Sequence, residues 1–550
     1  MSDLFSIASQ FVDEVAAHHP DVATQIGVPG YDHLWPDTSP EGVAAAAELV
    51  TRYRTLIAPH LDSDDERQQH GARVLDGFLM KKQSDYDEGD RYYELRHVAG
   101  IQDEVRDVFD LMDTSTEEAW ANIATRLETA AQPLSGWRAT LEEGRGQGFV
   151  VSRRQAESAL EQLRHLAGPD SKWLGLSKRA AQEAPDIANR VSEAVDKGRR
   201  AAADFADYVE AGYLPHAREA DGVGVERYIS AADGFLGMRI DPLETYKWGW
   251  SEVHRIHQAM TEVAAKIDST KTLSEVIELL ETDGDYAAPS QAAFAEFIQQ
   301  RQDQALGQLD GAHFAVPEEI KQVTVNLVPP GAALGAYYLQ PSEDFGRPGG
   351  IWYSFGDRQQ IPLWGEVSTA YHEGFPGHHL QVGTSMAQQE NLTRAHRLLI
   401  WYSGYGEGWA LYTERLMEGL GYFEKPEYLL GYYSSQQLRA CRVVIDIGCH
   451  LGLKLPDDAL VNPGGAWDYP TAVEMLHQVA GQPRDVSESE TKRYLGWPGQ
   501  AISYKVGERV ILSLRDEAKR KQGSAFDLKE FHRSLLGGGE VRLDYLTTST

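Results

Sequence analysis

From Phe5 to about Tyr213 apolar residues return every three or four positions over a polar background, a period that predicts one helix after another. The expected helices are Phe5 to Ala17, Pro40 to Ile57, Ser63 to Lys82, Thr116 to Ala131, Val151 to Leu166 and Ala184 to Tyr208. Turn signals such as Pro169-Asp170 and Leu214-Pro215 separate them, which predicts antiparallel helices in a single lobe. The period breaks at Asp221-Gly222-Val223-Gly224, the expected boundary between a helical lobe of residues 1–220 and a second region of residues 221–550. Beyond it, Asp241 stands where it can cap a helix opened by Pro242 and running to about Ile267. From Gln322 to Val328 the pattern changes to β-branched alternation, which predicts a short strand, and Gly335 to Gln340 and Gly350 to Ser354 are expected as further short strands of a small sheet at about 322–355. Helix returns in Gln500 to Lys521 and Asp527 to Leu536. The pattern therefore describes a mainly α protein with one small β-sheet and no fixed-period repeat.

Composition adds boundaries to this picture. A chain of 550 residues can bury a sizeable core, and 42% hydrophobic with 25% charged residues is ordinary for a folded, soluble protein. Acidic residues number 83 against 52 basic ones, a net charge of −31, so phosphate backbones and anionic membrane surfaces are repelled. Neither nucleic acid nor a membrane is an expected partner. Cys441 and Cys449 lie eight residues apart in a helical segment, where a rise of ~1.5 Å per residue parts them by ~12 Å, too far for a bridge. The first residues carry no basic and apolar leader pattern, and no apolar run reaches membrane-spanning length. The expected location is cytoplasmic; oligomeric state is not legible.

Candidate chemistry lies at His372-Glu373-Gly374-Phe375-Pro376-Gly377-His378-His379. Two neutral imidazoles and one further protein ligand suit a catalytic zinc, with a neighbouring carboxylate to take a proton from bound water. In the usual HExxH arrangement the histidines stand four residues apart on one helical face. Here the fourth residue after His372 is Pro376, and histidines follow at the sixth and seventh positions. On an ideal helix six residues turn through about 600°, leaving His378 about 120° off the face of His372; seven turn about 700° and set His379 roughly 10 Å along the axis. Gly374, Pro376 and Gly377 permit departure from helix, and a two-residue bulge would bring His378 beside His372. His378 is therefore favoured over His379 as the second ligand, and a straight helix through Pro376 would count against the whole site. The third ligand is expected from Glu407, in Ser403-Gly404-Tyr405-Gly406-Glu407-Gly408-Trp409, whose glycines would allow close helix approach. Glu414, two turns further on, is either an acceptor for a ligand histidine or a salt-bridged surface glutamate.

At these residues the sequence resembles a bacterial family of unknown function, presumed metallopeptidases, marked by HExxPGHHLQ at His372 to Gln381 and EGWAxYxE at Glu407 to Glu414. The likeness extends to RAxRxxxDxGxH from Arg439 through Arg442, Asp446, Gly448 and His450, to Arg493 to Gly507, and to Asp527 to Gly539. That family is similar to thermostable carboxypeptidases and thimet-type oligopeptidases, and the resemblance implies a two-lobed helical body with a zinc ion at the floor of a deep channel. It also implies that a strand edge, Gly335 to Tyr338 or Gly350 to Ser354, pairs with substrate. Leu453 to Ala466 departs from the family pattern, where a tryptophan-containing helix start is expected.

The expected function is that of a zinc-dependent peptidase acting on peptides or small amides, with carboxypeptidase action as one form. His372, His378 and Glu407 would hold Zn²⁺, and Glu373 would act as general base. Tyr504 would donate to the oxyanion, and His450 or an arginine of the 439–450 segment would meet a substrate carboxylate. Asp446 would orient a ligand histidine, or belong to a buried salt-bridge ladder. Two alternatives stand beside this: an inactive metal-binding or scaffold protein of the same fold, and a hydrolase of a non-peptide amide or ester.

Overall fold

The computed structural model describes residues 3–328 and 335–548, so residues 329–334 of the predicted sheet region lie outside the described residues. Two compact units are formed. One comprises Met1–Asp221 with the short segments Thr393–Ile400 and Leu495–Trp497; the other comprises Gly222–Leu392, Trp401–Tyr494 and Pro498–Thr550. The protein is mainly helical, with few and short strands.

In the first unit the helices follow their apolar stripes. Pro40–Ile57 starts after Ser39, whose side chain accepts from the Gly42 amide. The third expected helix begins later and ends later than its period suggested, as Glu66–Glu88, because Asp65 is its N-cap and Gly89 stops it in the left-handed conformation. Ile101–Asp107 and Ala131–Gly146 also form helices that the period did not mark. The stripe of Ala188–Tyr208 packs Val191, Val195, Ala202 and Phe205 into a core with Trp120, Leu127 and Trp173.

In the second unit Asp241 caps the long helix Pro242–Ile267 by accepting from the amides of Leu243 and Glu244. This helix packs along Pro426–Leu451, closely enough that a side chain at Gly249 would collide with Val443. Strand Thr324–Leu327 pairs in parallel with Gly350–Ser354, which pairs antiparallel with Gly335–Leu339. Gly350–Ser354 is thus the central strand with both edges taken, which removes it as a strand that could pair with substrate; Gly335–Leu339 stands at an edge. The sheet buries Ile351 and Tyr353 against Phe294 and Ile298. The segment from Leu453 to Ala466 folds back on itself, with Lys454 bridged to Ala466, and delivers Trp467 to Tyr246 just ahead of the helix Tyr469–Glu474. Among the described residues no helix is long and apolar enough to cross a membrane.

Candidate metal centre

The bulge expected at Pro376 is a full break. Helix Glu366–Glu373 ends at Glu373, and a new helix, His378–Ala387, begins at His378. Proline forbids helix continuation here, and the Phe375-Pro376 peptide is cis. Three contacts fix the turn. Gln302 donates to the Ala370 carbonyl at 2.8 Å and accepts from the Phe375 amide at 2.7 Å, closing the end of the first helix. The indole of Trp409 donates to the carbonyls of Pro376 at 3.0 Å and Gly377 at 3.3 Å. Phe375 is fully buried against Phe314 and Trp409. Gly377 passes so close to the preceding helix that a Cβ there would lie 1.9 Å from the His372 carbonyl oxygen.

This turn sets the imidazoles of His372 and His378 edge to face, with ring centres 4.9 Å apart. Glu407, on the helix Ser403–Gly419, meets both: its Oε2 lies 3.2 Å from His372 Nε2 and 3.5 Å from His378 Nε2. The three ligand atoms all fall within 4.8 Å of one another, the one such group among the described residues. Their chemistry fits zinc, since a tetrahedral site with Zn–N and Zn–O bonds of ~2.0–2.1 Å separates neighbouring donors by about 3.3 Å. Glu414 accepts from His372 Nδ1 at 2.7 Å and from Ser368 Oγ at 2.8 Å, so the Nε2 of His372 is the nitrogen turned toward Glu407. His379 points elsewhere: its Nε2 donates to the Ile320 carbonyl at 2.7 Å, and burial lowers its pKa to about 4.

Electrostatics follow from this crowding. Burial works against a charged His372, but hydrogen bonds to Glu407 and Glu414 outweigh it and raise the imidazole to about 10. Burial likewise opposes the Glu407 carboxylate, and the two histidines overcome it, holding the group well below the usual carboxylate range. Glu373, beside His372 and half-buried, is shifted upward by burial.

The glycines around Glu407 have separate uses. Gly408 faces Gly507 on the helix Ser503–Gln522, a Cβ on Gly507 would lie 1.9 Å from the Gly404 carbonyl oxygen, and Gly404 itself makes room for Leu236 and Leu543. Gly406 instead lies beneath Trp401, which is 44% exposed and leans on His378 with ring centres 5.8 Å apart. The close crossing at Gly507 brings Tyr504, three residues earlier, into stacking range of His372 at 6.3 Å between ring centres.

The 439–450 face divides. Arg442 is buried and committed to Glu490 at 2.8 Å and to the Tyr494 hydroxyl at 3.0 Å. Asp446 accepts from the Tyr228 hydroxyl at 2.7 Å and the Gly499 amide at 3.0 Å, and His450 meets the Tyr494 carbonyl at 3.0 Å. The structure does not bring His450 to the metal group: both its side chain and that of Asp446 are fully buried in this separate polar network. Asp446 bonds to neither His372 nor His378; the carboxylate that meets His372 Nδ1 is Glu414. Spacing alone did not single out Gln302 and Trp409, because their partners are carbonyls and amides of a turn whose course the sequence does not display.

A family model described as a bacterial protein of unknown function (DUF885) matches residues 20–549, and the chain belongs to that family. None of the curated proteins matches it. In fold it is similar to the crystal structure of a presumed lipoprotein from Colwellia psychrerythraea, with a TM-score of 0.88 at 23% identity over 100% of this chain and 98% of that one. A presumed lipoprotein of unknown function from Shewanella oneidensis is also similar, with a TM-score of 0.74 at 18% identity over the whole of both chains. At these identities the likeness is one of fold.

Proposed function

We propose that this member of a bacterial family of unknown function is a zinc-dependent peptidase acting on peptides or small amides. The observation that carries the reading is the convergence of His372 Nε2, His378 Nε2 and a Glu407 oxygen within 4.8 Å, with Glu373 next in sequence to the first ligand. Zinc held by these three residues supplies Lewis acidity, lowering the pKa of a bound water and polarising a carbonyl. The protein's own groups supply the rest. Glu373, whose proton affinity burial raises, takes the proton of the attacking water and returns it to the leaving amine. The Tyr504 phenol, kept protonated by burial and the nearby Glu407 charge, donates to the oxygen on which negative charge develops. Glu414 keeps His372 in the tautomer and orientation that present Nε2.

The test is zinc content by mass spectrometry together with digestion of a mixed peptide library, for the wild type and Glu373→Gln. Both proteins are expected to hold one zinc per chain, and only the wild type to cleave, the loss being on the order of 10²-fold or more. Zinc without cleavage by the wild type would favour a metal-binding scaffold. Undiminished hydrolysis by Glu373→Gln would overturn the assignment.

A further inference from the structure

Among the cations near the metal group, one has no acid. Arg442 and Arg493 share Glu490, each at 2.8 Å. His450 is spent on the Tyr494 carbonyl. Arg439 lies one helical turn before Arg442, and among the described residues no carboxylate comes within 4 Å of its guanidinium. Its Nε is buried and without a hydrogen-bond partner, and its Nη1 reaches only the Ser435 carbonyl of its own helix, at 3.3 Å. With 83 acidic residues to 52 basic ones, a half-buried arginine that meets none of them is poorly compensated. Its position is informative: the guanidinium carbon lies 5.7 Å from the centre of the Tyr504 ring, the ring that stacks on His372. Arg439 thus stands beside the site on the helix Pro426–Leu451, near enough for its charge to act on Glu373 and Glu414.

A guanidinium presents a planar fork of N–H donors that matches the two oxygens of a carboxylate. We infer that Arg439 receives the C-terminal carboxylate of the substrate, so that the enzyme removes residues from the C-terminal end of peptides. The inference takes the site's chemistry from the peptidase reading, but the ion pair itself requires no catalysis. Arg439 is then a specificity residue, and Arg442 with Glu490 a support for the helix that carries it.

The test is calorimetric titration of full-length Glu373→Gln protein, loaded with zinc, with three matched ligands. These are N-acetyl-trialanine as the free acid, the same peptide as its amide, and an amidated peptide with a glutamate side chain in the last position. The free acid is expected to bind at least tenfold more tightly than either amide. In the double variant with Arg439→Met that preference disappears, and Arg439→Lys, which keeps charge but not the fork, retains part of it. Equal binding of the three ligands to the Glu373→Gln protein would overturn the inference without recourse to any arginine variant. So would equal binding of the free acid and the glutamate-containing amide, or an acid preference that survives Arg439→Met. If the wild type cleaves no peptide, the peptidase reading falls by itself, while the carboxylate site still stands or falls on these titrations.

Discussion

His372 Nδ1 donates to Glu414 Oε1 at 2.7 Å, and this bond turns the other nitrogen of the ring toward Glu407. Glu414 and Glu407 sit on one helix two turns apart, so a single rigid element would supply both the third ligand of the proposed metal and the group that aims the first.

Removing that aim is expected to weaken metal binding without removing a ligand. Glu414→Ala should lower zinc affinity by about 10–100-fold, and Glu414→Gln, which keeps an acceptor, by less. Competition with a chromogenic chelator measures both; an unchanged affinity in Glu414→Ala would show that the bond does not orient the ligand.

Metal removal should cost stability. A metal held by His372, His378 and Glu407 would tie the helices on either side of the 374–377 turn to the helix Ser403–Gly419, and a ligand at a hundredfold excess over its dissociation constant stabilises by about 2.7 kcal/mol. A chelator is expected to lower the melting temperature by several degrees, reversibly on adding zinc. His378→Ala should melt at one temperature with or without the metal.

The crossing of Ser403–Gly419 with Ser503–Gln522 sets a stability prediction with its own control. Gly507→Ala would press a Cβ to 1.9 Å from the Gly404 carbonyl oxygen, at an expected cost of about 1–3 kcal/mol or more. Gly307→Ala, inside the helix Gln291–Leu309 with nothing within 4 Å, should stabilise by ~0.5–1 kcal/mol. Thermal melts of the two variants should move in opposite directions.

His532 predicts a pH dependence. It is buried, its Nδ1 donates to the His313 carbonyl at 2.9 Å and its Nε2 accepts from the Tyr412 hydroxyl at 2.7 Å. Burial lowers its pKa from 6.5 to about 4. Unfolding therefore takes up a proton between those values, and stability falls as pH drops through that window. The loss from this residue between pH 7 and pH 5 is about 2 kcal/mol. Wild-type protein should lose more melting temperature over that interval than His532→Gln; equal losses would remove His532 as the cause.

Much of this was legible in the sequence. The stripe of Val191, Val195 and Phe205 gave its helix, Asp241 with Pro242 gave another its start, and the three-stranded sheet was located, whereas the two-residue strands Ala287–Ala288 and Ile361–Pro362, which pair with each other, were not. The site's residues were legible as chemistry: a histidine and glutamate side by side, a second histidine past a proline, and a glutamate among glycines. Less visible was anything held by backbone groups. Gln302 and Trp409 act on carbonyls and an amide, which leave no trace in residue type. His450 misled because helical spacing puts it on a face with Arg442 and cannot say how far along that face the site extends. Helices such as Ala131–Gly146 were missed because glycine and proline interrupt their period, although tertiary packing overrides both.

The helix that carries Glu407 also carries Trp409, two residues later, and the indole grips the turn between the two histidines by its carbonyls. Distance along the chain between the histidines is then of no account to an ion, because the clamp and the third donor travel together. Searches that demand four residues from one histidine to the next will pass over proteins built this way. A more faithful signature joins a histidine before a proline turn, a histidine after it, and a glutamate with an indole two positions on.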